Sequence, residues 1–147
     1  MSTDESKAIV RRWREEIWNK RNLNIIDELH APDYVGHYSG VVPEPIRGRE
    51  ALKQLFAAYF AALDIHVETQ FLIAEGNMVV VHDTNRVKHT GTFRGISPTG
   101  KEVSVTSTDI YRVADGKIAE QWLEGDITAA LQQLGVLPTS APGAGTP

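Results

Sequence analysis

Asp83 and Asp109 are acids at positions where strand alternation calls for apolar residues. Along Met78 to Thr90, one face carries Val79, Val81, Asp83, Asn85, Val87 and His89, and the other carries Met78, Val80, His82, Thr84, Arg86 and Lys88. Arg86 and Lys88 belong in water, so the valine-rich face, with Asp83 and Asn85, turns inward. Val103, Val105, Ser107, Asp109, Tyr111 and Val113 form the corresponding set on the next strand. An ionised carboxylate is costly to bury alone, so each acid is either paired or lines a pocket where it moves protons. For Asp109 structural pairing is the plainer reading, with an arginine such as Arg112 or Arg94. Asp83, mid-strand among valines, is harder to assign to structure, the alternatives to a functional acid being a paired one or a different strand register. Asp126 has two roles open to it, helix cap or acid-base group. On the last strand Ile118, Glu120 and Trp122 share a face by parity, and Gly125 is a candidate bulge beyond which the parity is open.

His37, in a loop rich in aromatic and polar groups with Tyr34 and Tyr38, could reach a pocket as acid, base or donor. His89 lies inward near a strand end, at the expected pocket mouth, and His30 is expected at the surface at a helix end. No two histidines show metal-ligand spacing and the chain has no cysteine, so no metal site is expected. Trp13, Tyr59 and Trp122 are core residues or walls of a small-molecule cavity, while Trp18 has no assigned role. There is no GxGxxG, no Walker loop and no GxSxG elbow. The chemistry left is proton transfer by carboxylates and histidine.

A first helix over about Asp4 to Asn19 carries Ile9, Val10, Trp13 and Ile17 at helical spacing, with Arg11, Arg12, Arg14, Glu15 and Glu16 filling the rest. A short second helix ends at Ala31-Pro32. Asp33 to Arg47 reads as an irregular lid or rim. A third helix runs from about Gly48 to Leu63. Strands follow over Ile65–Ala74, Met78–Thr90, Lys101–Val113 and Lys117 to about Leu123, with a hairpin turn at Asp115-Gly116. A last helix begins at Asp126, with Ile127, Leu131 and Leu134 as its stripe and Gly135 as its stop. Helices first and antiparallel strands after predict an α+β fold, a curved antiparallel sheet wrapped around N-terminal helices with a central pocket.

One domain is expected over 1–138, with a loose tail over 139–147 rich in Pro, Gly, Ala and Thr. The formal net charge of -4 argues against nucleic acid as a partner. No apolar run approaches the roughly 20 residues of a membrane span. The N-terminus shows no signal-peptide pattern, so a cytoplasmic location is expected.

Several segments resemble the SnoaL-like polyketide cyclases, or ester cyclases. The stretch His89-Thr90-Gly91-Thr92-Phe93-Arg94-Gly95-Ile96-Ser97-Pro98-Thr99-Gly100-Lys101-Glu102-Val103 is similar to their central signature. Asp109-Ile110-Tyr111-Arg112 with Asp115-Gly116-Lys117-Ile118, Glu120-Gln121-Trp122 through Asp126 to Gly135, and Gly48-Arg49-Glu50-Ala51 extend the likeness from about Val10 to Pro138. The resemblance implies a cone-shaped α+β barrel of the nuclear-transport-factor type, a homodimer or homotetramer assembled through the sheet, and cofactor-independent ring closure by an intramolecular aldol reaction. It implies that Asp126, just after the tryptophan of the last strand, is the acid-base group. Two positions depart from the pattern. Gln121 stands where many relatives have His, and Asp83 where many have Trp.

The expected function is therefore acid-base chemistry on a carbonyl-containing small molecule. Asp126 would abstract a proton, and His37, Asn85 or a protonated Asp83 would stabilise the enolate. Trp13, Tyr34, Tyr59, Asn85, His89, Asp109 and Trp122 would shape the substrate site. Hydrolysis or isomerisation in the same pocket, such as the opening of an epoxide or lactone by an activated water, is the alternative that Asp83 favours. A domain that only binds a ligand is the other.

Overall fold

The computed structural model describes residues 2–136. The expected tail over 139–147 and the end of the expected domain lie outside them. The chain opens with α1 (Thr3–Arg14), started by a capping box in which Ser2 and Glu5 satisfy each other's backbone N–H groups. A π-helical turn, Glu15–Asn19, continues it. Then come α2 (Ile25–Leu29), β1 (His30–Tyr38), β2 (Ile46–Arg47) and α3 (Arg49–Ala62). The rest is β3 (Leu63–Glu75), β4 (Met78–His89), β5 (Glu102–Ala114), β6 (Lys117–Gly125) and α4 (Ile127–Leu134). Among the described residues no helix is long and apolar enough to cross a membrane.

The six strands form one curved, open sheet in the order β2-β1-β6-β5-β4-β3. The fold is α+β, as expected, but the expected irregular stretch over Asp33–Arg47 begins as strand. β1 runs parallel to β6, with Gly36 beside Gln121 and Tyr38 beside Leu123. Pro32 obscures this strand in the sequence, because it lacks an N–H for a ladder. The structure places it where pairing to β6 lapses, between His30 and Val35.

A bulge in β6 decides which residues face the interior. Val113 pairs with Ile118, but Arg112 pairs with Glu120, leaving Ala119 as the extra residue. The parity flips there. Gln121 and Leu123 turn inward, while Glu120 and Trp122 turn to the outer face, the reverse of unbroken alternation from Ile118. Gly125 is paired with Ser107 and carries no bulge.

The core lies between the inner sheet face and the helices. Val10, Trp13, Ile17, Ile26, Leu52, Phe56, Val79 and Val81 are buried in one cluster, and Leu63, Phe93, Leu131 and Leu134 in a second around α4. His30, expected at the surface, is fully buried. Its ring sits edge-on to Trp13 at 4.4 Å and to Tyr34 at 4.9 Å. Burial pushes its pKa down to about 3, so it is neutral in the fold. Between its ordinary value of 6.5 and about 3, the unfolded chain binds a proton that the folded chain refuses. Stability is therefore lost as pH falls through this window. Urea unfolding at pH 7 and pH 5 should show His30→Phe losing about 2 kcal/mol less than the parent over that interval.

Candidate active site

Arg14 is the centre of the site. Val10, Trp13, Arg14 and Ile17 stand at i, i+3, i+4 and i+7, so the guanidinium projects from the buried stripe of α1. It is 6% exposed and meets two inward acids of the sheet. Arg14 Nη2 donates to Asp83 Oδ2 on β4. Arg14 Nη1 donates to Asp109 Oδ2 on β5 at 3.1 Å and to the Tyr111 hydroxyl at 2.9 Å. Thr69 Oγ1 donates to Asp83 Oδ1 at 3.0 Å, and Gln121 Nε2 donates to Asp109 Oδ1 at 3.2 Å. Arg14 Nε has no hydrogen-bond partner among the described residues.

One guanidinium thus serves two carboxylates, and the charges do not cancel if both are ionised. Burial raises the Asp109 pKa, while Arg14 opposes the rise and Asp83 adds to it. The Tyr111 hydroxyl is held protonated, chiefly by burial. Asp109 therefore takes up a proton more readily than a carboxylate in water.

These groups open onto a cavity of about 120 Å³. Trp13, Trp18, Phe56 and Tyr59 supply aromatic wall, and Ala130, Leu131 and Leu134 of α4 close over one side. Asn85 lines it too and donates to Ser107 Oγ at 2.8 Å. A second, more polar cleft of about 500 Å³ lies between the end of the first helix and β3. Arg14 and Trp18 stand in the walls of both, and Thr69, in the second, bonds to Asp83 in the first.

The family model of the SnoaL-like polyketide cyclases matches residues 8–134. The chain belongs to this family. Solved structures share the fold. A chain assigned to the SnoaL-like polyketide cyclases from Jannaschia sp. CCS1 superposes with a TM-score of 0.82 at 22% identity, covering 92% of this chain and 95% of that one. AclR of Streptomyces galilaeus, a candidate hydroxylase, gives 0.77 at 27% identity over 97% and 88%. IdmH of Streptomyces antibioticus, a candidate polyketide cyclase, gives 0.72 at 29% identity over 92% and 100%. A search of the curated proteins finds no match.

In this SnoaL-like domain, Asp83, Asp109, Asn85, Trp13 and Tyr59 of the expected site residues converge on the cavity. The partner of Asp109 is Arg14 rather than Arg112 or Arg94. Arg112 pairs with Glu120, and Arg94 donates to the Val41 carbonyl. Tyr34 is buried, with its hydroxyl on Gln121 Oε1. His89 is buried away from the cavity lining, where its Nδ1 accepts from the Thr99 backbone N–H at 3.1 Å, and Thr99 Oγ1 donates to the Leu134 carbonyl. Thr99, in the β4–β5 loop, thus joins the end of β4 to the end of α4. His37 and Trp122 stack against each other on the outer face, 5.4 Å apart, with His37 on Glu120 at 2.7 Å. The β6 bulge is the reason: it turns Glu120 and Trp122 away from the interior. Asp126, exposed at the start of α4, is outside the cavity lining and makes no side-chain cap hydrogen bond.

Residues that sequence reasoning missed are Arg14, Tyr38, Ser107 and Gln121. The i, i+3, i+4, i+7 position of Arg14 was the available signal. Among the described residues no group of three or more His, Asp or Glu side chains is placed to hold a metal ion.

Proposed function

We propose that this protein is a cofactor-independent acid-base enzyme that closes a ring on a carbonyl-containing small molecule by an intramolecular aldol reaction. The observation that carries the reading is the pair of carboxylates, Asp83 and Asp109, sharing Arg14 at an apolar cavity. Ionised Asp109 takes a proton from a carbon between carbonyls, leaving an enolate and a neutral acid. Burial makes this carboxylate a stronger base than one in water. The Asn85 amide is the candidate donor to the enolate oxygen. The enolate carbon then attacks a second carbonyl of the same molecule, forming the C–C bond. The resulting alkoxide recovers the proton from Asp109, and the walls hold the two carbons close. The resemblance gives the base role to Asp126 instead, so the two acids are tested against each other.

Hydrolysis of an epoxide or lactone is the second reading. The polar cleft that reaches Thr69 supports it, since a water entering it would be one hydroxyl away from Asp83. A panel of methyl-ester polyketones, epoxides and lactones, incubated in ²H₂O and separately in H₂¹⁸O, separates the readings. Aldol closure yields an isomer of unchanged mass in ordinary water, enzyme-dependent deuterium exchange at the attacking carbon, the one between carbonyls, and no ¹⁸O from a hydrolytic step. Hydrolysis adds one labelled oxygen. Ligands that bind and return unchanged and unlabelled would overturn both.

The assembly through the sheet is also a proposal. Phe71 and Ile73 are 50% and 55% exposed on the outer face, with Phe71 stacked on His82 at 5.1 Å. Phe71→Asp with Ile73→Lys should reduce the mass in sedimentation from oligomer to monomer, and an unchanged parent-like mass would remove this face from the interface.

A further inference from the structure

Gln121 bonds on both sides, and its two ends are not interchangeable. Its Oε1 meets the Tyr34 hydroxyl at 3.0 Å and the Tyr38 hydroxyl at 3.1 Å, and the hydroxyls meet each other at 2.9 Å. Two hydroxyl protons serve three contacts. If one lies between the hydroxyls, the other donates to Oε1. Burial holds both phenols protonated, so neither is lost as a donor. An amide whose oxygen is claimed in this way must turn its NH₂ toward Asp109. Gly36 makes the clamp possible. Tyr34, Gly36 and Tyr38 share one face of β1, and a Cβ on Gly36 would lie 2.5 Å from both the Tyr34 hydroxyl oxygen and Tyr38 Cε2.

The groups around Asp109 are then all accounted for. Arg14 donates from α1 and Gln121 from β6, Tyr111 lies beside it on β5, and Asp83 repels it from β4. Tyr34 and Tyr38 of β1 act on it through Gln121. Both carboxylate oxygens already accept a bond from the protein, one from Arg14 and one from Gln121. The lone pairs that remain are those not directed at these two donors, and Asp109 lines the cavity.

We infer that Gln121, clamped by Tyr34 and Tyr38, is a positioning residue that keeps Asp109 a proton acceptor toward the cavity. The inference deepens the proposed function and rests on it for its purpose, but it concerns the state of Asp109 and can be read without a substrate.

The test is a ¹³C NMR titration of the aspartate carboxyls, with Asp109→Asn assigning the Asp109 signal. Gln121→Leu removes the donor and keeps most of the volume. The Asp109 midpoint should rise by about one pH unit, because a hydrogen bond to the charged form is lost. Tyr34→Phe with Tyr38→Phe keeps Gln121 but frees its amide, and should move the midpoint the same way by less. Leu123→Ala, which disturbs packing at the register partner of Asp109, should leave it in place. A midpoint unmoved in Gln121→Leu, or moved as far by Leu123→Ala, overturns the inference. If Gln121→Leu does not fold, the double phenylalanine variant decides by the same criterion. A shifted midpoint in a protein that turns over nothing in the panel sinks the proposed function and leaves this inference standing.

Discussion

Arg14→Met lowers stability by about 3–5 kcal/mol at pH 7, the usual consequence of removing one partner from a buried ion pair. Asp83 and Asp109 are left inside with no cation, and the desolvation that raises Asp109 loses its main opponent. The deficit relative to the parent should shrink as pH falls, because protonation removes the stranded charges. Urea unfolding at pH 7 and pH 5 checks both statements. Adding Asp83→Asn and Asp109→Asn to Arg14→Met should recover much of the loss, since the need for a cation disappears with the acids. A triple variant as unstable as Arg14→Met alone would show that the guanidinium acts by packing rather than by charge.

Asp109→Asn should lower kcat on a confirmed substrate by about 10²–10⁴-fold, the range typical of a positioned acid-base group, with KM changed far less. The parent kcat should rise with pH through an acidic limb, because the base works ionised, and that limb lies above the ordinary carboxylate range because burial raises Asp109. Asp109→Asn abolishes it. Asp83→Asn should also lower kcat and displace the limb downward, since it removes the neighbouring negative charge that helps to raise Asp109. Asp126→Asn is the contrast. Exposed and outside the cavity lining, it should keep most of the turnover. Should Asp126→Asn lose activity while Asp109→Asn retains it, the base role belongs to Asp126 and the mechanism proposed for the cavity is wrong.

Much of this arrangement was legible from alternation alone. Asp83, Asn85 and Asp109 stand on straight runs of paired strand, where a period of two carries from one residue to the next, and all three reach the cavity. Glu120, Gln121 and Trp122 follow an extra residue at Ala119, and a single insertion exchanges the faces of every residue after it. No glycine or proline marks that bulge, so nothing local announced it. Arg14 was hidden differently. A charged residue on an amphipathic helix is assigned to water by default, although its spacing from Val10 and Ile17 put it on the buried stripe. His30 was assigned to the surface because it follows a helix end, where the structure instead begins a buried strand.

The parallel pairing of β1 with β6 has a consequence for how the molecule comes to exist. The guanidinium and the acid it meets on β5 are 95 residues apart in the chain, and the amide that orders that acid arrives later still. A nascent chain stopped after Ala114 would hold Arg14, Asp83 and Asp109, yet its first strand would lack its long parallel neighbour and Asp109 would lack Gln121. Closing so wide a loop is entropically demanding, so assembly should be slow for the chain's size and should complete only after β6 has left the ribosome. Until then Asp109 has no Gln121 to order it.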